Sequence, residues 1–174
     1  MPATVALAEM KVSKRIRLGM QETLSDYLQL HVDGWDPRRA VWEWSEDRAG
    51  SHQTPVIEII NTGSSTDYET LRGRDADGAT VSGIAKVDYA LTVTVFERGR
   101  NSNAVLDKND DWLDSFSAVL RDQTSLGGLP VYVLVQDADP SSTFSIGSDQ
   151  FGAGQLVVEV QSWHEQDQST FPSD

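Results

Sequence analysis

The chain has 174 residues, 39% of them apolar and five of them tryptophan, which is enough to fill the core of one domain and too much for a disordered polypeptide. Its 27 acidic side chains outweigh 14 basic ones, and the formal net charge of -13 opposes general binding to nucleic-acid phosphates. Cysteine is absent, so disulfides and thiolate metal sites are excluded.

The opening "MPATVALAEMKVSKRIRLG" places a short apolar run before its basic residues, the reverse of a signal peptide's order. No run approaches the roughly 20 apolar residues of a membrane-spanning helix, so no membrane partner is expected. Residues 1–9 read as a flexible N-terminus. Val12, Ile16, Met20, Leu24 and Leu28 then recur at fourfold spacing, with Leu18 and Tyr27 widening the stripe, which predicts an amphipathic helix over about 10–30. Lys11, Lys14, Arg15 and Arg17 crowd its first turns, where the helix dipole disfavours cations.

In "VWEWSED" the residues alternate around Trp42 and Trp44, predicting a strand that buries two indoles. "TPVIEIINTG" reads as a second strand with Pro55 at its start. Residues 61–83 lose periodicity and are rich in Gly, Asp, Ser and Thr, predicting a long mobile loop or arm. Alternation returns at Val87, Tyr89, Leu91, Val93 and Val95, and residues 84–96 read as the longest strand. Asp107, Asn109 or Asp110 offers a cap for a second helix from about residue 110, with Trp112, Leu113, Phe116, Val119 and Leu120 as its apolar face. "TSLGG" supplies a glycine stop. "LPVYVLVQDADP" reads as a short buried strand followed by a Ser- and Gly-rich loop to residue 154, and "QLVVEVQSWHE" as the closing strand. Residues 164–174 read as a polar tail. Consecutive strands and two covering helices predict a single α+β domain over 10–163, a mainly antiparallel sheet of about five strands with two helices on one face.

Constellations for chemistry are missing. His31, His52 and His164 stand in unrelated contexts, and "HEQDQ" lacks the second histidine of the helical zinc motif. "DKNDDW" has Trp112 where a calcium loop needs glycine, and "RDADGA" lacks the closing glutamate. Neither a Gly-x-Ser-x-Gly elbow nor a phosphate loop is present. We therefore expect no catalytic residue, no cofactor and no metal. Trp42, Trp44 and Trp112 fit core faces, leaving Trp35 and Trp163 as the expected exposed aromatics.

The order of these segments, from an N-terminal helix through "VWEWSED", "TPVIEIINTG", a long loop, "DYALTVTVFERGR", "DDWLDSFSAVLRD", "TSLGG" and "VYVLVQDADP" to "GQLVVEVQSW", resembles that of tail terminator (tail completion) proteins of long-tailed bacteriophages. The resemblance covers residues 10–163 as strand texture and order, without an invariant motif. It implies a non-enzymatic virion subunit, made in the host cytoplasm, that forms a homo-hexameric ring on the tail tube. Such a ring ends tube polymerisation and meets the head-tail connector or neck proteins, with the tail sheath a further candidate partner. DNA would pass through without specific binding, repelled by carboxylates. A neck or head-completion connector shares these traits. An acidic DNA-mimic inhibitor is a reading from another class, expected to be a monomer or dimer.

Within a ring of acidic subunits, cations of one copy should face acids of the next. Arg98 and Arg100 after the long strand, together with Asp107, Asp110, Asp111 and Asp114 at the expected helix start, are the expected subunit contact, with Arg38 and Arg39 as further cations. Asp67, Tyr68, Glu69, Arg72, Arg74, Asp75 and Asp77 mark the expected docking loop. The two surfaces of the 87–95 strand differ: one is apolar, the other carries small Ala90, Thr92 and Thr94, suited to a neighbour's approach.

Overall fold

A computed structural model describes residues 11–68, 73–74, 80–81 and 84–165. Helix α1 (Val12–His31) opens the fold and buries Ile16, Gly19, Met20, Leu24 and Leu28, the fourfold stripe read from the sequence. Strand β1 (Val56–Tyr68) follows an irregular stretch, then two short strands β2 (Gly73–Arg74) and β3 (Thr80–Val81), and the long β4 (Ile84–Gly99). Helix α2 (Ser102–Arg121), a short β5 (Ser125–Leu126), β6 (Leu129–Ile146) and β7 (Asp149–Glu165) complete it. The main sheet has the order β1-β4-β7-β6-β5 and its four long strands pair antiparallel. Both helices pack on one face, so the expected α+β architecture is the one observed.

The alternation that marked β4 is its burial pattern. Val87, Tyr89, Leu91, Val93 and Val95 face the helices beside Ile57 and Ile59 of β1, Leu156, Val158 and Val160 of β7, and Val131 and Val133 of β6. Helix α2 lies over β4, β7 and β6, whereas α1 touches β1 and β5 at the two ends of the strand order. A sheet whose opposite edges both reach one helix must curl around it, as strand twist favours.

The curl is fixed by a close backbone approach. A Cβ on Gly19 would collide with the amide nitrogen of Gly127 and sit 2.9 Å from the carbonyl carbon of Leu126. Arg15 locks the same junction by donating from Nε and Nη2 to the Gly127 carbonyl at 3.1 and 3.0 Å.

Several expectations give way. "VWEWSED" is not a strand: residues 41–45 run irregularly beside β1, held by Ile57 N–H to the Val41 carbonyl at 3.3 Å and Trp44 N–H to Glu58 Oε2 at 3.2 Å. A 3-10 helix, Glu46–Ser51, follows. Its alternating indoles point to two different layers, Trp42 to the helix-side core and Trp44 to the far face of the sheet. Residues 61–83 are not one loop: 61–68 continue β1, paired with 85–91 of β4, and β2 pairs with β3. The Ser-rich stretch before residue 154 is also strand, because β6 and β7 form one hairpin from Ile146↔Asp149 to Val131↔Ser162. Its two-residue turn begins with Gly147 at φ 60, which matches the strand twist as a type II′ turn does. Helix α2 starts eight residues earlier than about 110, capped by Asn101 Oδ1, which accepts from the amides of Asn103 and Ala104 at 2.9 and 3.3 Å. It ends at Asp122 and not on glycine. Gly127 and Gly128, at φ 57 and 77, instead form the β5-β6 turn. Trp35 is buried, only 8% exposed, and Trp163 is half-buried.

Alanine is the better helix former by about 1 kcal/mol, yet Gly19→Ala should lower stability by about 1 to 3 kcal/mol, because the backbone junction must open to admit a methyl. Urea unfolding followed by far-UV circular dichroism checks this sign. Burial raises the Tyr89 phenol above its ordinary value of 10.0. The unfolded chain then releases this proton first, so stability is full below about pH 10 and falls as pH rises toward the folded value. Tyr89→Phe should blunt that alkaline loss, read as the slope of the denaturation midpoint against pH.

Candidate assembly surfaces

The helix-side layer is closed by polar groups where β4 leaves the core. Glu97 is fully buried and continues the inward row of β4. One carboxylate oxygen accepts from Trp112 Nε1 at 2.7 Å, and the other accepts from the Arg98 amide at 3.1 Å and lies 3.3 Å from Lys108 Nζ. A buried carboxylate so supplied is tolerated because each oxygen has a donor. Asn109, also fully buried, turns its amide nitrogen to the Val95 carbonyl at 3.1 Å and its oxygen to Ser141 Oγ at 2.8 Å and the Gly154 amide at 3.0 Å. These two side chains fasten α2 to β4, β6 and β7. Both were open to sequence reading only as generic polar residues, since neither burial nor partner has a local signature.

Among the described residues, the opposite face of the sheet is covered at one end only. Trp44 stacks on Phe96 with centroids 4.3 Å apart and meets Phe151 and Phe144 edge-on at 5.3 and 5.9 Å. Val56 and Phe151 are consequently almost fully buried beneath it. Farther along the same face this cover ends. Ile60, Val157, Leu134 and Tyr132 are 49, 37, 36 and 55% exposed. Thr92 lies between Ile60 and Val157 in register, and Leu134 and Tyr132 continue the diagonal across β6. Ala90 and Thr92, foreseen as small residues on an approachable face, sit in this open region and are half-buried. Glu159 and Gln161 stand opposite Leu134 and Tyr132 in β7, so the row is apolar with a polar border, and grouped exposed apolar side chains mark an interaction site more often than scattered ones do.

The expected contact residues come out differently from one another. Arg98 donates from Nη1 to the Gly50 carbonyl, which holds the 46–51 helix within its own chain and engages one of the guanidinium's five N–H donors. Arg100 is exposed in the turn before α2. Asp107, Asp110, Asp111 and Asp114 are all exposed on α2, but in its second to fourth turns, because the helix begins at Ser102. Their expected place at the helix start therefore fails, and the helix dipole gives them nothing, since its benefit is confined to the first turn. Of the expected docking loop, Asp67 and Tyr68 belong to β1 and Arg74 to β2, while Glu69, Arg72, Asp75 and Asp77 lie outside the described residues.

Among the described residues, no three His, Cys, Asp or Glu side chains converge as a metal would require, and no helix is long and apolar enough to cross a membrane. Comparison with known protein families and with curated proteins gives no match.

Glu97→Ala should cost about 2 to 4 kcal/mol by leaving the Trp112 indole N–H unpaired and a hole beside it. Lys108→Ala should cost no more than about 1 kcal/mol, because its side chain is 56% exposed, the same carboxylate oxygen keeps the Arg98 amide, and pairs with an exposed partner contribute little. Urea denaturation read by tryptophan emission separates the two.

Proposed function

We propose that the protein is a structural virion subunit, a tail terminator that assembles as a hexameric ring on the tail tube, ends its polymerisation and joins the tail to the head connector. The observation that carries this reading is the exposed diagonal of Ile60, Val157, Leu134 and Tyr132 on a sheet whose other face carries both helices and the core. Such a half-finished layer suits a chain completed by a neighbouring subunit. The resemblance in element order supplies the kind of assembly. The formal charge of -13 supports the channel role, because carboxylates lining a ring repel passing phosphate and keep DNA from sticking.

Mixing the purified protein with polymerising tail-tube subunits tests the proposal. Short, capped tubes and a light-scattering mass about six times the 19.2 kDa chain are expected at low protein excess. Tubes of unchanged length distribution, with the protein monomeric beside them, would overturn it. Val157→Lys should keep the melting temperature within a few degrees, since the side chain is partly exposed, yet suppress capping by placing a charge in the apolar contact.

A further inference from the structure

A groove of about 680 Å³ lies between α1 and the 40–52 segment. Arg17 and Gln21 of the helix form one side, and Trp42, Ser45, Arg48 and His52 form the other. Glu43 is the one acid on its lining. Two guanidinium groups and an imidazole thus converge in a protein with about twice as many acids as bases. Neither Arg17 nor Arg48 has a side-chain hydrogen bond or ion pair among the described residues, whose only salt bridges are Lys86 with Asp88 and Lys108 with Glu97. His52 is 91% buried, since its exposure is 9%, and its Nε2 has no hydrogen-bond partner among those residues. That nitrogen is itself closed off from the surface, as are Trp35 Nε1 and Asp88 Oδ1, which likewise lack a hydrogen bond, so it is the two guanidinium groups that the groove offers to a partner.

The outer surface of α2 has the complementary shortage. Asp107, Asp110, Asp111 and Asp114 stand at i, i+3, i+4 and i+7, which is one stripe of a helix, all exposed and without a cation among the described residues. Like charges at i, i+4 destabilise a helix, and the dipole gives these positions nothing in return. One chain therefore displays an unneutralised row of carboxylates and a separate cleft of unneutralised guanidinium groups.

We infer that the groove between α1 and the 40–52 segment receives the carboxylate stripe of α2 from a second copy of this chain. The occupant follows from charge complementarity, and guanidinium forks match carboxylates in paired geometry. Because the two surfaces differ, the contact is head-to-tail, so it closes into a ring when the rotation allows. The inference rests on the subunit assembly proposed above and names its polar contact, the one that fixes partner and register while the apolar sheet face contributes area.

Two charge-reversed variants test it. Arg17→Glu with Arg48→Glu makes both surfaces negative, and Asp107→Lys, Asp110→Lys and Asp111→Lys together, which leave Asp114 as the stripe's one acid, make both net positive. Each variant alone should remain folded by circular dichroism and lose assembly at low salt, shifting its association midpoint by about tenfold or more. An equimolar mixture should regain it, because every junction then pairs opposite signs in an alternating, even-membered ring. Should either variant misfold, the absence of cysteine permits a second measurement: Arg48→Cys with Asp110→Cys should give an oxidised, reducible ladder of linked chains. If both reversed variants assemble as the wild type does and no ladder forms, this contact is wrong while the subunit reading stands. If the wild type is monomeric at every concentration and gives no ladder, the subunit reading falls together with it. Titration of such a monomer with inorganic phosphate that shifts the His52 and Arg48 resonances would place a small anion in the groove and likewise overturn the inference.

Discussion

A mismatch of length governs this fold. A helix of 20 residues, as α1 and α2 each are, spans about 30 Å. A strand of 17 residues, as β7 is, spans about 55 Å. Two such helices side by side therefore cover the breadth of the curled sheet but leave part of its length without a helical layer. Among the described residues, the far face receives only the 41–52 segment anchored by Trp44 on Phe96. Everything distinctive about the surface follows: a complete core on one side, a plug at one end of the other, and an apolar diagonal beyond the plug.

Holding a curled sheet to two helices requires junctions that propensity alone does not supply. At one edge the absence of side chains at Gly19 and Gly127 lets backbone meet backbone, with Arg15 bridging. Under α2 the fasteners are polar, Glu97 to Trp112 and Lys108, and Asn109 to β4, β6 and β7. Fully donor-satisfied polar groups in a core cost little and select one arrangement of the elements, whereas an apolar slab would permit sliding. Arg98 extends this ordering outward by tying the Gly50 carbonyl, so the segment that plugs the far face is held from the same strand end that holds α2.

How much of this was legible depended on whether a signal was local. The stripe of Ile16, Met20, Leu24 and Leu28 and the alternation of β4 declared themselves, because burial on one face leaves a period in the sequence. The arm of β1 and the turn-proximal half of the β6-β7 hairpin, residues 141–154, did not. Their Ser, Thr and Gly residues carry no apolar alternation, and their strand state comes from pairing with a partner already in the sheet. Trp42 and Trp44 misled because alternation reports two environments, and these can be two layers flanking an irregular chain as well as two faces of a strand. The helix start at Ser102 was missed since Asn101 caps it while acids downstream competed for the same role. Of the candidate contact, the acids were legible as exposed, whereas the Arg98 bond to Gly50 spans 48 residues and has no trace in the sequence.

The edges of the sheet narrow the ways in which copies can associate. An exposed regular edge invites strand addition and unlimited growth. Along β1 the outer edge is partly occupied by residues 41–45, and its register shifts between Asn61 and Gly63. On the other side, β5 pairs with the start of β6, and β6 shifts register between Gln136 and Asp139 and again before Ser142. Interrupted edges resist templated growth. What remains regular and open is a face, where side chains and not backbone groups choose the partner. Association through side chains is saturable and depends on register, which is the property a subunit needs if it is to end a polymer instead of extending one.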